Sequence, residues 1–227
     1  IGAVFRLVDD ATYNIIRNLN IESQATSTTT GGVFFNTSNG TLGYSNNTVT
    51  ENHIRAIAGL TISNGIYSSG TATAMNTNNV ISNNRIYNFD ENGINIAATG
   101  NGANWTISGN HLYNTTVSPS AQTGILVASA NSTSVTISNN FIGGSDENAS
   151  GLWSNSGSVL VSGISCTNGL ATISGNTIMN ISGTGTGTGG RIQGISQTSV
   201  LGAFTISDNT IMNLSTTGTS TGNAFGN

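Results

Sequence analysis

The phrase Ala171-Thr172-Ile173-Ser174-Gly175-Asn176-Thr177-Ile178-Met179-Asn180-Ile181 returns almost unchanged as Phe204-Thr205-Ile206-Ser207-Asp208-Asn209-Thr210-Ile211-Met212-Asn213-Leu214. A chain that copies a phrase must give each copy an equivalent environment, and stacking is the simplest way to do so. The core T-I-S-x-N-x-I recurs at Val135 to Ile142, Trp105 to Leu112, Val80 to Ile86 and, as V-T-E-N-H-I, Val49 to Ile54. Its asparagine falls at 52, 84, 110, 140, 176 and 209, in steps of 32, 26, 30, 36 and 33 residues. A degenerate copy, Tyr13 to Ile21, continues the spacing if Asn18 is its anchor, since 52 minus 18 is 34. About seven coils are expected.

Around each anchor the chain alternates with period two, the pattern of a strand with one buried face. Three residues before the anchor stands Val49, Ile81, Ile107, Ile137, Ile173 or Ile206, expected to point inward. Thr and Ser flank these positions and are expected to face water. Two residues after the anchor an aliphatic side chain returns inward, at Ile54, Ile86, Leu112, Ile142, Ile178 and Ile211. The strand must therefore bend at the asparagine, and Asn83, Gly109, Asn139, Gly175 and Asp208, just before it, suit left-handed backbone geometry.

A second motif lies between anchors: Gly65-Ile66, Gly93-Ile94, Gly124-Ile125, Gly163-Ile164 and Gly194-Ile195, with Gly32-Val33 as its first equivalent. Ser/Thr/Gly-rich stretches such as Gly183 to Gly190 take equivalent places in successive repeats and read as loops, not domain joints. One repeat holds too little apolar surface to close a core, so neighbours must bury it by stacking. Stacked identical strands are parallel, and long connections between parallel strands favour a right-handed crossover. The expected fold is all-β, a single right-handed parallel β-helix over residues 1–227, with the anchor asparagines stacked inside as a ladder that satisfies buried polar groups. A weaker second ladder is expected through Asn88, Asn114, Asn180 and Asn213. Trp105 and Phe204 are expected in the core, and Trp153, outside both motifs, is a candidate for contact with a glycan.

With T-I-S-x-N-x-I on one strand and G-I on its neighbour, the chain resembles the right-handed β-helix repeat superfamily of pectate lyases, polygalacturonases, phage tailspikes and surface adhesins. Its opening segment, Val4 to Ile21, looks like the first coils of large, secreted, lysine-poor surface proteins of Bacteroidota, which a dedicated outer-membrane system usually exports. The resemblance implies the fold and an extracellular or cell-surface place. It implies no reaction, because the same fold carries lyases, hydrolases and inert stalks.

Composition narrows the partners. Only 6% of residues are charged and there is no lysine, so the surface must be polar without charge. A formal charge of -4 with five arginines argues against a nucleic-acid backbone as partner. No run of about 18 apolar residues is present to span a membrane, so no insertion is expected. The lone Cys166 excludes an internal disulfide framework and reads as a small buried apolar residue. Ile1 and Asn227 interrupt the pattern and neither end shows a polar cap, so flanking domains of a longer parent chain are expected.

Two groups of residues could carry chemistry. Asp90-Glu91 and Asp146-Glu147 stand at equal offsets after Asn84 and Asn140, about 10 Å apart if both loops follow the stack. Such acids are candidates for calcium, which takes six to eight oxygens, or for a polysaccharide lyase or glycoside hydrolase; solvated loop acids are the plainer reading. The other group lies just past the anchor, where neighbouring coils display His53 and Arg55, Arg85 and Tyr87, then His111 and Tyr113. Side by side these form a platform expected to stack a sugar ring and hydrogen-bond its hydroxyls. The leading expectation is a non-enzymatic adhesive or structural segment engaging an extracellular polysaccharide or surface glycan, with a carbohydrate-active enzyme as the alternative. Rows of threonine also raise ice binding, weakened by serine at the second position.

Overall fold

The computed structural model describes residues 2–36, 41–186, 189–198 and 202–216. Within them every named element is a strand, and all the strand pairs are parallel; no helix is long and apolar enough to cross a membrane. Three sheets wrap one core, two of seven strands and one of eight, making a β-solenoid of about six turns. Each coil contributes one strand per sheet in fixed order, the G-I strand, the T-I-S strand, and the strand that follows the anchor, and one coil adds Trp153–Asn155 to the last sheet. Ile1 and Asn227, where the repeat was expected to break off, lie outside the described residues, as do two residues of the Gly183–Gly190 stretch.

The register is the one the repeat demands. Ile81, Ile107, Ile137, Ile173 and Ile206 are matched rung to rung in the T-I-S sheet, and Ile54, Ile86, Leu112, Ile142, Ile178 and Ile211 in the post-anchor sheet. The first column is fully buried from Val49 to Ile173. In the last described rung Ile206 and Phe204 are exposed, so Phe204 is not the core residue its position suggested, because no described coil covers it. Trp105 is buried as expected.

At each anchor the backbone turns through a left-handed residue. Asn83, Gly109, Asn139, Gly175 and Asp208 have φ of 55°, 64°, 55°, 66° and 55°, and Glu51 takes the same bend at 56°. The bend turns the anchor amide into the coil, where it bonds both ways along the axis. Asn110 shows the pattern: its main-chain N–H and its Nδ2 donate to Asn140 Oδ1 at 2.9 and 3.0 Å, while Nδ2 also donates to Ile81 O at 2.9 Å. The same bonds run from Asn52 through Asn84, Asn110, Asn140 and Asn176 to Asn209. The ladder thus stands.

Its first rung differs from expectation. Ile16 pairs with Val49 and Arg17 with Thr50, which sets Leu19, not Asn18, beside Asn52. Asn18 is the left-handed residue of that coil, φ 57°, and the Leu19 N–H donates to Asn52 Oδ1 at 3.2 Å. The proposed second ladder is also discontinuous. Asn88, Asn180 and Asn213 have left-handed backbone geometry, and only Asn213 and Asn180 bond to each other, at 3.0 Å. A short column that was not anticipated stands five residues before the anchors instead: Asn14 donates to Asn47, Asn47 to Asn79, and Trp105 takes the next rung.

Glycine in the G-I motif has a packing role. A Cβ on Gly124 would lie 2.7 Å from the Ile142 side chain and 2.6 Å from Gly163 O, and Gly163 and Gly194 meet Ile178 and Ile211 in the same way. The post-anchor aliphatics therefore rest directly on the backbone of the G-I sheet. Two outcomes follow in thermal or urea unfolding. Asn140→Ala strands the buried N–H and Nδ2 donors of Asn110 and removes the Nδ2 donor to Asn176 Oδ1 and Ile107 O, and should cost about 2–4 kcal/mol, whereas exposed Asn20→Ala should cost under about 0.5 kcal/mol. Gly124→Ala overpacks the core and should cost about 1–3 kcal/mol.

Candidate functional site

The post-anchor sheet brings together the residues that the spacing pointed to. His53, Arg85 and His111 are direct lateral neighbours, followed by Phe141; Arg55, Tyr87 and Tyr113 form the adjacent column. Below Arg55 the second column begins with Glu22, which the sequence reading did not single out. All these side chains point out of the sheet because they alternate with the buried Ile21, Ile54, Ile86 and Leu112.

Their mutual geometry turns ring faces toward one another. The Tyr87 and Tyr113 rings are stacked, centroids 4.7 Å apart and planes within 8°; His111 and Phe141 are stacked at 5.1 Å and 7°. Rings in register on parallel strands cover one another's faces along the solenoid axis. What they offer to solvent is edges and polar tips. Below Tyr87 the Arg55 guanidinium lies 5.8 Å from the ring centroid, and its Nη1 donates to the Tyr87 hydroxyl at 2.7 Å. Its Nε and Nη2 both bond to Glu22 Oε1. These bonds, led by that to Tyr87, hold the Arg55 charge more firmly than in water and raise its pKa.

A turn caps the upper end. After Gly143 the chain folds back over the sheet, and Gly144 makes this possible because a Cβ there would strike Ala149 and Ser150. Glu147 then forms an ion pair with Arg85, while its carbonyl bonds to His111 Nδ1. Asp146 stays in the turn, accepting from the Asn148 and Ser150 main-chain N–H groups at 2.9 and 3.1 Å and from the Ser150 hydroxyl. The bond from the Ser150 hydroxyl is the main cause that holds its carboxyl below the usual range.

Asp90 and Glu91, by contrast, are not loop residues. They lie in the G-I strand Phe89–Ile96, where the pairing shifts between Phe89 and Asn92 so that both acids oppose a single residue of the neighbouring strand. Asp90 accepts from the Ser118 and Ser120 hydroxyls at 2.6 and 3.0 Å. The equal sequence offset of the two acidic pairs is therefore not an equal place in the coil: one pair belongs to the G-I sheet, the other to a turn on the post-anchor sheet. Among the described residues no three His, Cys, Asp or Glu side chains group as metal ligands. Trp153 is no surface contact either. It is buried, edge-to-face with Phe89 at 5.2 Å, and its Nε1 donates to Gln122 Oε1 at 2.9 Å.

No protein-family model, no curated protein and no solved structure matches this chain, so the class rests on the fold itself, a parallel β-solenoid with an inner asparagine ladder.

Burial, then the neighbouring Tyr87 and Glu147, push the Tyr113 phenol from its ordinary 10 up to about 12. Because the unfolded chain gives up this proton first, the stability that Tyr113 contributes should be constant below pH 10 and be lost as pH rises from 10 toward 12. Absorbance titration near 295 nm should show a late phenol that Tyr113→Phe removes, along with part of that alkaline loss.

Proposed function

We propose that this chain is a non-enzymatic structural and adhesive segment of a large extracellular or cell-surface protein, engaging glycans through the polar edge of its post-anchor sheet. The observation that carries this reading is the outward column Glu22, Arg55, Tyr87 and Tyr113, held in strict register, its first three members tied by hydrogen bonds and its two tyrosines stacked. Such a column is preorganised, so little side-chain entropy is lost when a ligand binds. Its tips are the hydroxyl, guanidinium and carboxylate groups that recognise sugar hydroxyls. A surface with so few charges suits an uncharged, heavily hydrated partner more than a charged one. Two carboxylates of this face are paired with arginines, Glu22 with Arg55 and Glu147 with Arg85.

A second reading, a carbohydrate-active enzyme, draws on the G-I sheet. Glu91 stands at the strand irregularity beside a groove of about 320 Å³ lined also by Ser120, Thr123 and Leu160. Burial, then Asp90, raises its carboxyl above the usual range, the direction a general acid requires.

A glycan array on the wild type and on the Tyr87→Ala/Tyr113→Ala variant tests the first reading: binding by the wild type that the variant loses supports it, and equal binding by both removes this face. Incubation with neutral and acidic polysaccharides, with and without calcium, tests the second. Product formed by the wild type and abolished in Glu91→Gln would replace the adhesive reading with the enzymatic one.

A further inference from the structure

The lower end of the outward column opens into a groove. Glu22, Arg55, Tyr87 and Asn88 form its polar side, and the backbone turn at Ala56, Ile57 and Ala58 its apolar side, around a space of about 250 Å³. That lies below the roughly 300 Å³ at which drug-sized pockets begin, and leaves room for a single ring. The turn is fixed at both ends, by Ile57 N–H to Ser23 O at 3.0 Å and by Leu60 N–H to Ile57 O at 2.9 Å. The groove is thus a feature of three successive coils and not of one loop.

Its hydrogen-bonding inventory is specific. A guanidinium has five N–H donors, of which Arg55 uses three, two on Glu22 Oε1 and one on the Tyr87 hydroxyl. Two remain. Glu22 Oε2 has no partner among the described residues, and the Tyr87 hydroxyl, which accepts from Arg55, keeps its own proton to donate. The free groups are therefore three donors and a carboxylate oxygen, close together around an ion pair whose charges cancel. Adjacent hydroxyls on one ring, each able to give and to receive, match such a set; an anionic sugar would bring its carboxylate against Glu22. The next pair up the sheet, Arg85 with Glu147, is also neutralised, and Asp146 beside it adds negative charge.

We propose that this groove is the seat of one neutral pyranose residue bearing vicinal hydroxyls, held on the Glu22–Arg55 pair with its apolar edge against Ala56–Ala58. The inference rests on the glycan-binding reading above and narrows it to one place and one substrate class. Anionic glycans such as uronates are excluded by the same carboxylate that binds the diol. Tyr113 and the histidines then lie along the path of the chain beyond the seated unit.

Affinity electrophoresis in gels carrying mannan, laminarin, galactan, polygalacturonate or alginate tests this with the intact chain. Three variants are compared with wild type: Glu22→Gln, which keeps shape and removes the charged acceptor; Ala58→Trp, which fills the groove from an exposed position; and Thr172→Val, on another sheet, as control. Circular dichroism and melting temperature confirm folding in each. Retardation by at least one neutral gel and by neither uronate gel is expected, with an affinity loss of at least about tenfold in Glu22→Gln and Ala58→Trp and none in Thr172→Val. Retardation by the uronate gels overturns the substrate class. Neutral binding that both groove variants retain overturns the seat while leaving glycan adhesion standing. No retardation of the wild type in any gel removes the adhesive reading and this inference together.

Discussion

One side-chain amide per coil, placed where the backbone must turn, decides the architecture. A bend inside a β-coil leaves peptide groups facing inward with no strand partner, and burying them unpaired would cost about 1–3 kcal/mol each. Asparagine removes that cost in both directions at once: toward the preceding coil its Nδ2 reaches a main-chain carbonyl and its Oδ1 receives an N–H, while toward the following coil its own N–H and Nδ2 donate to the next amide oxygen. The left-handed residue preceding it aims the amide, and the glycine column across the core lets the aliphatic layer close over the ladder. Sheet register, the exposed columns and the surface groove all follow from this alignment.

Much of this was legible because the repeat is a physical statement. The anchor asparagines, the inward isoleucines, the left-handed positions and the lateral sequence His53, Arg85, His111 all follow from counting. Errors arose where one residue broke the count. With Asn18 as first anchor the opening coil shifts by one position, and Glu22 drops out of the column that it begins below Arg55. Read with Leu19 in the anchor place, Glu22 falls three residues past it, as Arg55 does past Asn52. Ile15-Ile16-Arg17-Asn18 could have revealed this, since its second isoleucine answers Val49.

Other features were not legible from spacing. Two acidic pairs at equal offsets came to lie on different sheets, because Asp90 and Glu91 are absorbed into a strand while Gly143 and Gly144 turn the second loop back on the sheet. Offset measures chain length, not the path the chain takes. Ring stacking was hidden for a related reason: register brings aromatic residues together, but only parallel strands at constant separation make the rings cover one another's faces. Trp153 shows the reverse case, an aromatic outside the repeat that fills the core through an inserted strand, Trp153–Asn155, paired with Ile181–Gly183.

A ladder of like rungs carries a hazard of its own, since nearly identical phrases could zip together one step out of place. Leu19 and Trp105 are the odd teeth of this fastener. Slippage by one coil would put a hydrocarbon where an amide must give and receive, or force an indole into the slot made for Asn79. Irregular residues in otherwise uniform files thus act as alignment marks, and the imperfect copies give a repetitive chain one way to close.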